Sequence, residues 1–202
     1  MSQNGPIQFW FSIGSTYTYL TVARLRDVEA RTGLRFDWRP FSVRAIMLEQ
    51  NNIPFTTKPV KAGYMWRDIE RRAALYGLPV KVPVPYPLKA FDLANRVAIV
   101  GVQEGWCPDY VRATYRRWFV DGLEAGSDPN LTESLQEIGQ DPRRVIGLAT
   151  SAAAGDAYDA ATNQARELKI FGSPTFTTCS EVFWGDDRLD DAIAWHRTGT
   201  LG

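Results

Sequence analysis

The sequence has one histidine, His196, and two cysteines, Cys107 and Cys179, in its 202 residues. No C-x-x-C pair exists, which argues against a disulfide oxidoreductase. Two distant cysteines and one histidine fit no zinc-binding spacing, so no metal is expected, and in a reducing compartment both thiols read as free. A Ser-His-Asp hydrolase would have to carry its nucleophile to His196, and a polar side chain at the end of a terminal helix reads as a surface residue. Excess charge is also missing: 23 Lys+Arg face 23 Asp+Glu. That balance gives no support to binding of nucleic acid or a membrane surface. No apolar run approaches the roughly 18 residues of a membrane span, and the opening Met-Ser-Gln-Asn-Gly-Pro has no basic stretch leading into an apolar core. A soluble, cytoplasmic protein is expected. Internal repeats and low-complexity segments are absent too.

Hydrophobic residues make up 45% of the chain, ample for the core of one domain with an insertion. Ile7 to Leu20 begins as an apolar, aromatic run of strand length and continues with Leu20, Val22, Ala23 and Leu25 at helical spacing. Strand, turn and helix follow in that order, and Thr32-Gly33 ends the helix. Leu34 to Arg39 alternates as a second strand, completing a parallel crossover unit. Helices are then expected over Val43 to Gln50, Lys61 to Tyr76, Lys89 to Glu104, Pro108 to Val120, Leu131 to Ile138, Pro142 to Thr150 and Gly155 to Lys169. The prolines at 79, 83, 85 and 87 mark an extended loop. Thr175 to Thr178 and Glu181 to Trp184 flank a tight turn at Cys179-Ser180, and Arg188 to Arg197 closes the chain as a helix. Periodicity alone leaves other α/β arrangements open.

Ser15 lies in the first strand-to-helix turn. Its plain reading is a helix cap, at a position whose backbone N–H groups and helix dipole favour an anion. Without a base it is a poor nucleophile, so a hydrogen-bond donor is the better role. Three further stretches carry chemistry. In Phe171-Gly172-Ser173-Pro174-Thr175 a glycine ends a helix and a proline opens a strand. Phe183-Trp184-Gly185-Asp186-Asp187-Arg188-Leu189 sets acids and an arginine at a helix start, a composition suited to a zwitterion. Asn51-Asn52-Ile53-Pro54-Phe55 precedes Lys61, a cation that a carboxylate entering an apolar cleft would need.

In these four stretches the chain resembles the DsbA-type thioredoxin-fold proteins, specifically the 2-hydroxychromene-2-carboxylate isomerases and kappa-class glutathione transferases. The resemblance implies a thioredoxin-like fold split by a long helical insertion: residues 1–42 and 170–202 form the thioredoxin-like domain and 43–169 the insertion. Ser15-Thr16-Tyr17-Thr18 then stands where the redox relatives carry C-x-x-C. By the same resemblance Ser15 holds the sulfur of a bound glutathione, Ser173 and a cis Pro174 meet its peptide backbone, and Asp187 and Arg188 receive its γ-glutamyl end. Lys61, with Asn51 or Asn52, takes a carboxylate. Phe41, Trp66 and Tyr86 are candidate walls for an aromatic ring. The implied activity is glutathione-dependent isomerisation of a small aromatic carboxylate by a homodimer, with a kappa-like transferase or a non-catalytic binding protein as alternatives. Ser12 departs from the pattern where an Asp commonly closes the first strand, Thr16 where a Pro is common, and Lys89 where an Asn is frequent.

Overall fold

The computed structural model describes residues 5–52, 55 and 58–201. Strand β1, Ile7–Phe11, is almost wholly apolar and runs through the interior of a four-stranded sheet of order β2-β1-β3-β4. Buried on both faces, such a strand needs no polar alternation. It pairs in parallel with β2, Phe36–Pro40, and antiparallel with β3, Thr175–Thr178, which in turn pairs antiparallel with β4, Glu181–Trp184. Helix α1, Thr18–Thr32, makes the crossover from β1 to β2. The β3–β4 turn places Cys179 and Ser180 at φ 49° and 66°, the left-handed pair that matches strand twist in a two-residue hairpin. Cys107 is buried and Cys179 exposed.

Between β2 and β3 the chain is helical: α2, Val43–Glu49; α3, Pro59–Tyr76; α4, Phe91–Glu104; α5, Cys107–Arg116; α6, Asn130–Glu137; α7, Pro142–Ala149; and α8, Ala152–Glu167. Each expected helix forms, with ends shifted by up to two residues except at α5, which passes into a π turn over Arg117–Asp121, and at α8, which begins three residues early. Helix α9, Leu189–Thr198, packs on β1 and β3. This is the thioredoxin-like sheet with a long helical insertion. Among the described residues no helix is long and apolar enough to cross a membrane.

Aromatic side chains knit the core. Phe9 stacks on Phe11 and Phe176 at centroid distances of 5.3 and 5.5 Å and meets the edge of Trp38 at 4.9 Å. Phe41 is fully buried against Trp10, so it belongs to this core and not to a cleft wall.

His196, expected at the surface, lies inside. It is buried, with Nδ1 2.7 Å from Thr178 Oγ1, at the end of β3 remote from Pro174. Leu189, Ala192, Ile193 and His196 share the buried face of α9, the i, i+3, i+4, i+7 series that turns a helix stripe inward. Burial, and then the charge of Arg197, lowers its pKa below the ordinary 6.5. The unfolded chain therefore binds the proton more readily, so stability is full above about pH 6.5 and falls as the pH drops below it. Thermal melts at pH 7.5 and pH 5 should show a lower midpoint in acid, and His196→Gln should reduce that difference.

Candidate functional site

The turn Ser12 to Ser15 follows the C-terminal end of β1 and is held from several sides. Gly14 sits at φ +124°, and a Cβ there would lie 2.6 Å from the Phe91 ring, so both backbone and space demand glycine. Asn95 on α4, fully buried, accepts from the Ile13 N–H at 2.7 Å and donates to the Ile13 carbonyl at 2.8 Å. It thereby satisfies a backbone that leaves the ladder at this point. Tyr115 on α5 shares its phenolic proton between the carbonyls of Ser12 and Ser15, at 3.1 and 3.0 Å. Burial pushes its pKa far above the ordinary phenol range, so it remains a neutral donor. Both pins come from the helical segment. Tyr115→Phe should lower stability by about 1–3 kcal/mol, since it strips a donor from buried carbonyls, and should reduce kcat more than it changes KM; urea melts and steady-state kinetics check both.

Ser15 is not the cap of α1. That position is Tyr17, without a side-chain cap bond. Instead the Ser15 hydroxyl donates to the Ser173 carbonyl at 2.6 Å, and Ser173-Pro174 is cis, as the resemblance implies. Ser173 Oγ accepts from the Ser12 N–H and lies 2.9 Å from Thr18 Oγ1. Ser12 is fully buried, and its Oγ has no partner among the described residues.

A cleft of about 320 Å³ adjoins this junction, lined by Tyr17, Tyr64, Asp68, Arg72, Ser173, Pro174, Trp184, Gly185, Asp186 and Asp187. Three acids face one arginine. Tyr17 donates to Asp68 at 3.0 Å, and Arg71 and Arg72 pair with the same carboxylate. Burial opposes the charge on Asp68, but these bonds outweigh it and hold its pKa below the ordinary carboxylate value. Asp186 is buried, bonded through Oδ1 to Arg24 at 2.6 Å and Thr21 at 3.0 Å, while its Oδ2 has no partner among the described residues. Arg24 lies over the Tyr76 ring at 3.8 Å.

The structure therefore gathers Ser15, Ser173, Pro174 and Asp187 around one junction. Arg188 pairs with Asp187 and Asp191 and is outside the cleft lining. Asn51, Asn52 and Lys61 are exposed and also outside it. Ile53 and Pro54 of the same stretch lie outside the described residues. Trp66 and Tyr86 meet edge-on at 5.7 Å and also lie outside the cleft lining. Tyr17, Asp68, Arg72, Asn95 and Tyr115 went unmarked in the sequence. The i, i+4 spacing of Asp68 and Arg72 was a usable local signal, whereas Asn95 and Tyr115 act across 82 to 103 positions and gave none.

Residues 6–193 match the DSBA-like thioredoxin domain. The chain belongs to that family. Within the DSBA-like family it is 27% identical over 186 residues to a 2-hydroxychromene-2-carboxylate isomerase of Sphingobium xenophagum, covering 91% of this chain and 94% of that one. It is 23% identical to the kappa 1 glutathione S-transferase of Caenorhabditis elegans, over 91% of this chain and 87% of the relative. A solved structure of 2-hydroxychromene-2-carboxylate isomerase superposes with a TM-score of 0.83 at 25% identity, covering 94% of this chain and 93% of that one.

Proposed function

We propose that this protein is a glutathione-dependent isomerase that interconverts 2-hydroxychromene-2-carboxylate-type and trans-o-hydroxybenzylidenepyruvate-type compounds. The observation that carries the reading is the Ser15 hydroxyl, 2.6 Å from the carbonyl that precedes the cis Pro174, in a turn with no thiol of its own. The relatives of that name, similar over nine-tenths of both chains, support it.

The residues fit a zwitterionic thiol peptide. The Ser173 backbone would pair with an extended main chain, and Asp187 at the rim of the cleft, whose partner Arg188 is exposed, would meet an ammonium, Asp68 and Asp186 being already paired with arginines. Arg72 offers that end a cation for a carboxylate, with Arg188 close outside. Lys61, with Asn51 or Asn52, would meet a second carboxylate, and Trp66 with Tyr86 an aromatic ring. Glutathione, when bound, supplies a thiolate nucleophile and leaves the cycle unchanged. Ser15 would turn its proton towards that sulfur, and the N-terminus of α1 would add the favourable end of its dipole. Asn95 and Tyr115 keep the turn rigid while it does so.

The test is conversion of a hydroxychromene carboxylate with and without glutathione, followed by absorbance, with glutathione counted at the end. An isomerase requires glutathione and returns all of it. Loss of glutathione in step with the electrophile would favour the transferase reading that the kappa relative represents. Turnover independent of glutathione would overturn both.

A further inference from the structure

This inference rests on the glutathione reading above. A serine hydroxyl has one proton to give. Here Ser15 gives it to the Ser173 carbonyl at 2.6 Å, so while that bond holds none is directed at a sulfur. The acceptor is the fixed partner. Ser173 is tied through Oγ to the Ser12 N–H and to Thr18 Oγ1, both at 2.9 Å, and the Pro174 carbonyl accepts from the Gly185 N–H at 2.9 Å. Thus the carbonyl is anchored by β1, α1 and the β4 end together, whereas the hydroxyl turns about a single bond.

We propose that the Ser173 carbonyl holds the Ser15 proton until the amide N–H of a bound thiol peptide takes its place, which releases the hydroxyl to the sulfur. Ser173 is then a positioning residue, and activation of the thiol is restricted to peptide ligands. A half-buried carbonyl stripped of its donor resists the change, because an unmet acceptor costs more than a bond gains. A ligand amide refills the acceptor as the hydroxyl leaves. A thiol without that amide offers no replacement, and Ser15 stays where it is. Coupling of this kind separates binding of a thiol from its ionisation, and gives the cleft a selectivity that acidity of the ligand does not supply.

The experiment measures the shift in thiol pKa on binding, from thiolate absorbance against pH, for glutathione and for the analogue in which an ester oxygen replaces the cysteinyl amide N–H. In the wild type the downward shift should be larger for glutathione by about one unit, a tenfold difference in thiolate population. In Ser15→Ala the two ligands should shift alike. Ser173→Ala should lose part of the glutathione shift and Ser173→Thr should restore it, a pattern that a merely structural role for Ser173 would not give. Equal shifts for both ligands in the wild type overturn the inference while leaving the functional reading intact. A difference that persists in Ser15→Ala also overturns it. Failure of the ester analogue alone to bind also overturns it, since the amide would then govern binding and not ionisation; failure of glutathione to bind overturns the functional reading and the inference with it.

Discussion

Ser15→Ala is expected to lower turnover about 10²- to 10³-fold, the range seen when one preorganised donor is removed from a reacting centre, while glutathione affinity changes by only a few fold. The separation follows from where Ser15 sits. Its hydroxyl meets the Ser173 carbonyl, while the charged end of the cleft, from Asp68 and Arg72 to Asp187, is built without it. Most of the binding groups are therefore untouched by the change. The fold should survive as well, because the turn is pinned by Asn95 and Tyr115 through backbone groups that alanine retains. Steady-state kinetics with calorimetry on the same preparation check the two halves. Equal loss of binding and turnover would move Ser15 from chemistry to docking.

Arg24→Ala should be the most damaging single change to stability away from the aromatic core. Asp186 is 3% exposed, and Arg24 supplies its only charged partner within hydrogen-bond distance among the described residues. Removing one member of such a pair leaves a carboxylate in a medium that solvates it poorly, at a cost of about 3–5 kcal/mol. Against a total near 5–15 kcal/mol that is a large fraction. For a chain of this size it corresponds to a fall of roughly 6–20 °C in Tm. Asp186→Asn should cost much less, since it removes the stranded charge and keeps a side chain able to bond Thr21. The double variant should then recover part of the loss of Arg24→Ala in a thermodynamic cycle. The pair also ties α1 to the turn that carries Asp187, so Arg24→Ala should raise KM for glutathione.

Much of this was legible because its signals are local. The apolar run at β1, the helical spacing after Ser15, the Cys179-Ser180 turn and the terminal helix all announce themselves within a few residues. The Ser15 turn and Ser173-Pro174 were recognisable by motif, and they meet across the sheet because β1 and β3 are neighbours. Other features were hidden for physical reasons. His196 reads as polar, yet its spacing from Leu189 and Ile193 puts it on the buried stripe. Phe41 carries no mark that distinguishes a core aromatic from a cleft aromatic; packing against Trp10 decides that. Asp186 looked like the plain neighbour of Asp187, and only the crossing of α1 beneath it brings Arg24 and Thr21 to its oxygen. Asn95 and Tyr115 belong to the same class, polar residues whose partners are backbone groups nearly a hundred positions away.

Calorimetric titration of the purified protein with glutathione is the measurement to make first, with thiolate absorbance recorded on the same samples. The structure leads to saturable binding at one site per chain in wild type and Ser15→Ala alike, with a thiolate signal at neutral pH in the wild type alone. No heat of binding at millimolar glutathione would contradict the account, and would leave a DSBA-like scaffold whose charged cleft serves some other ligand.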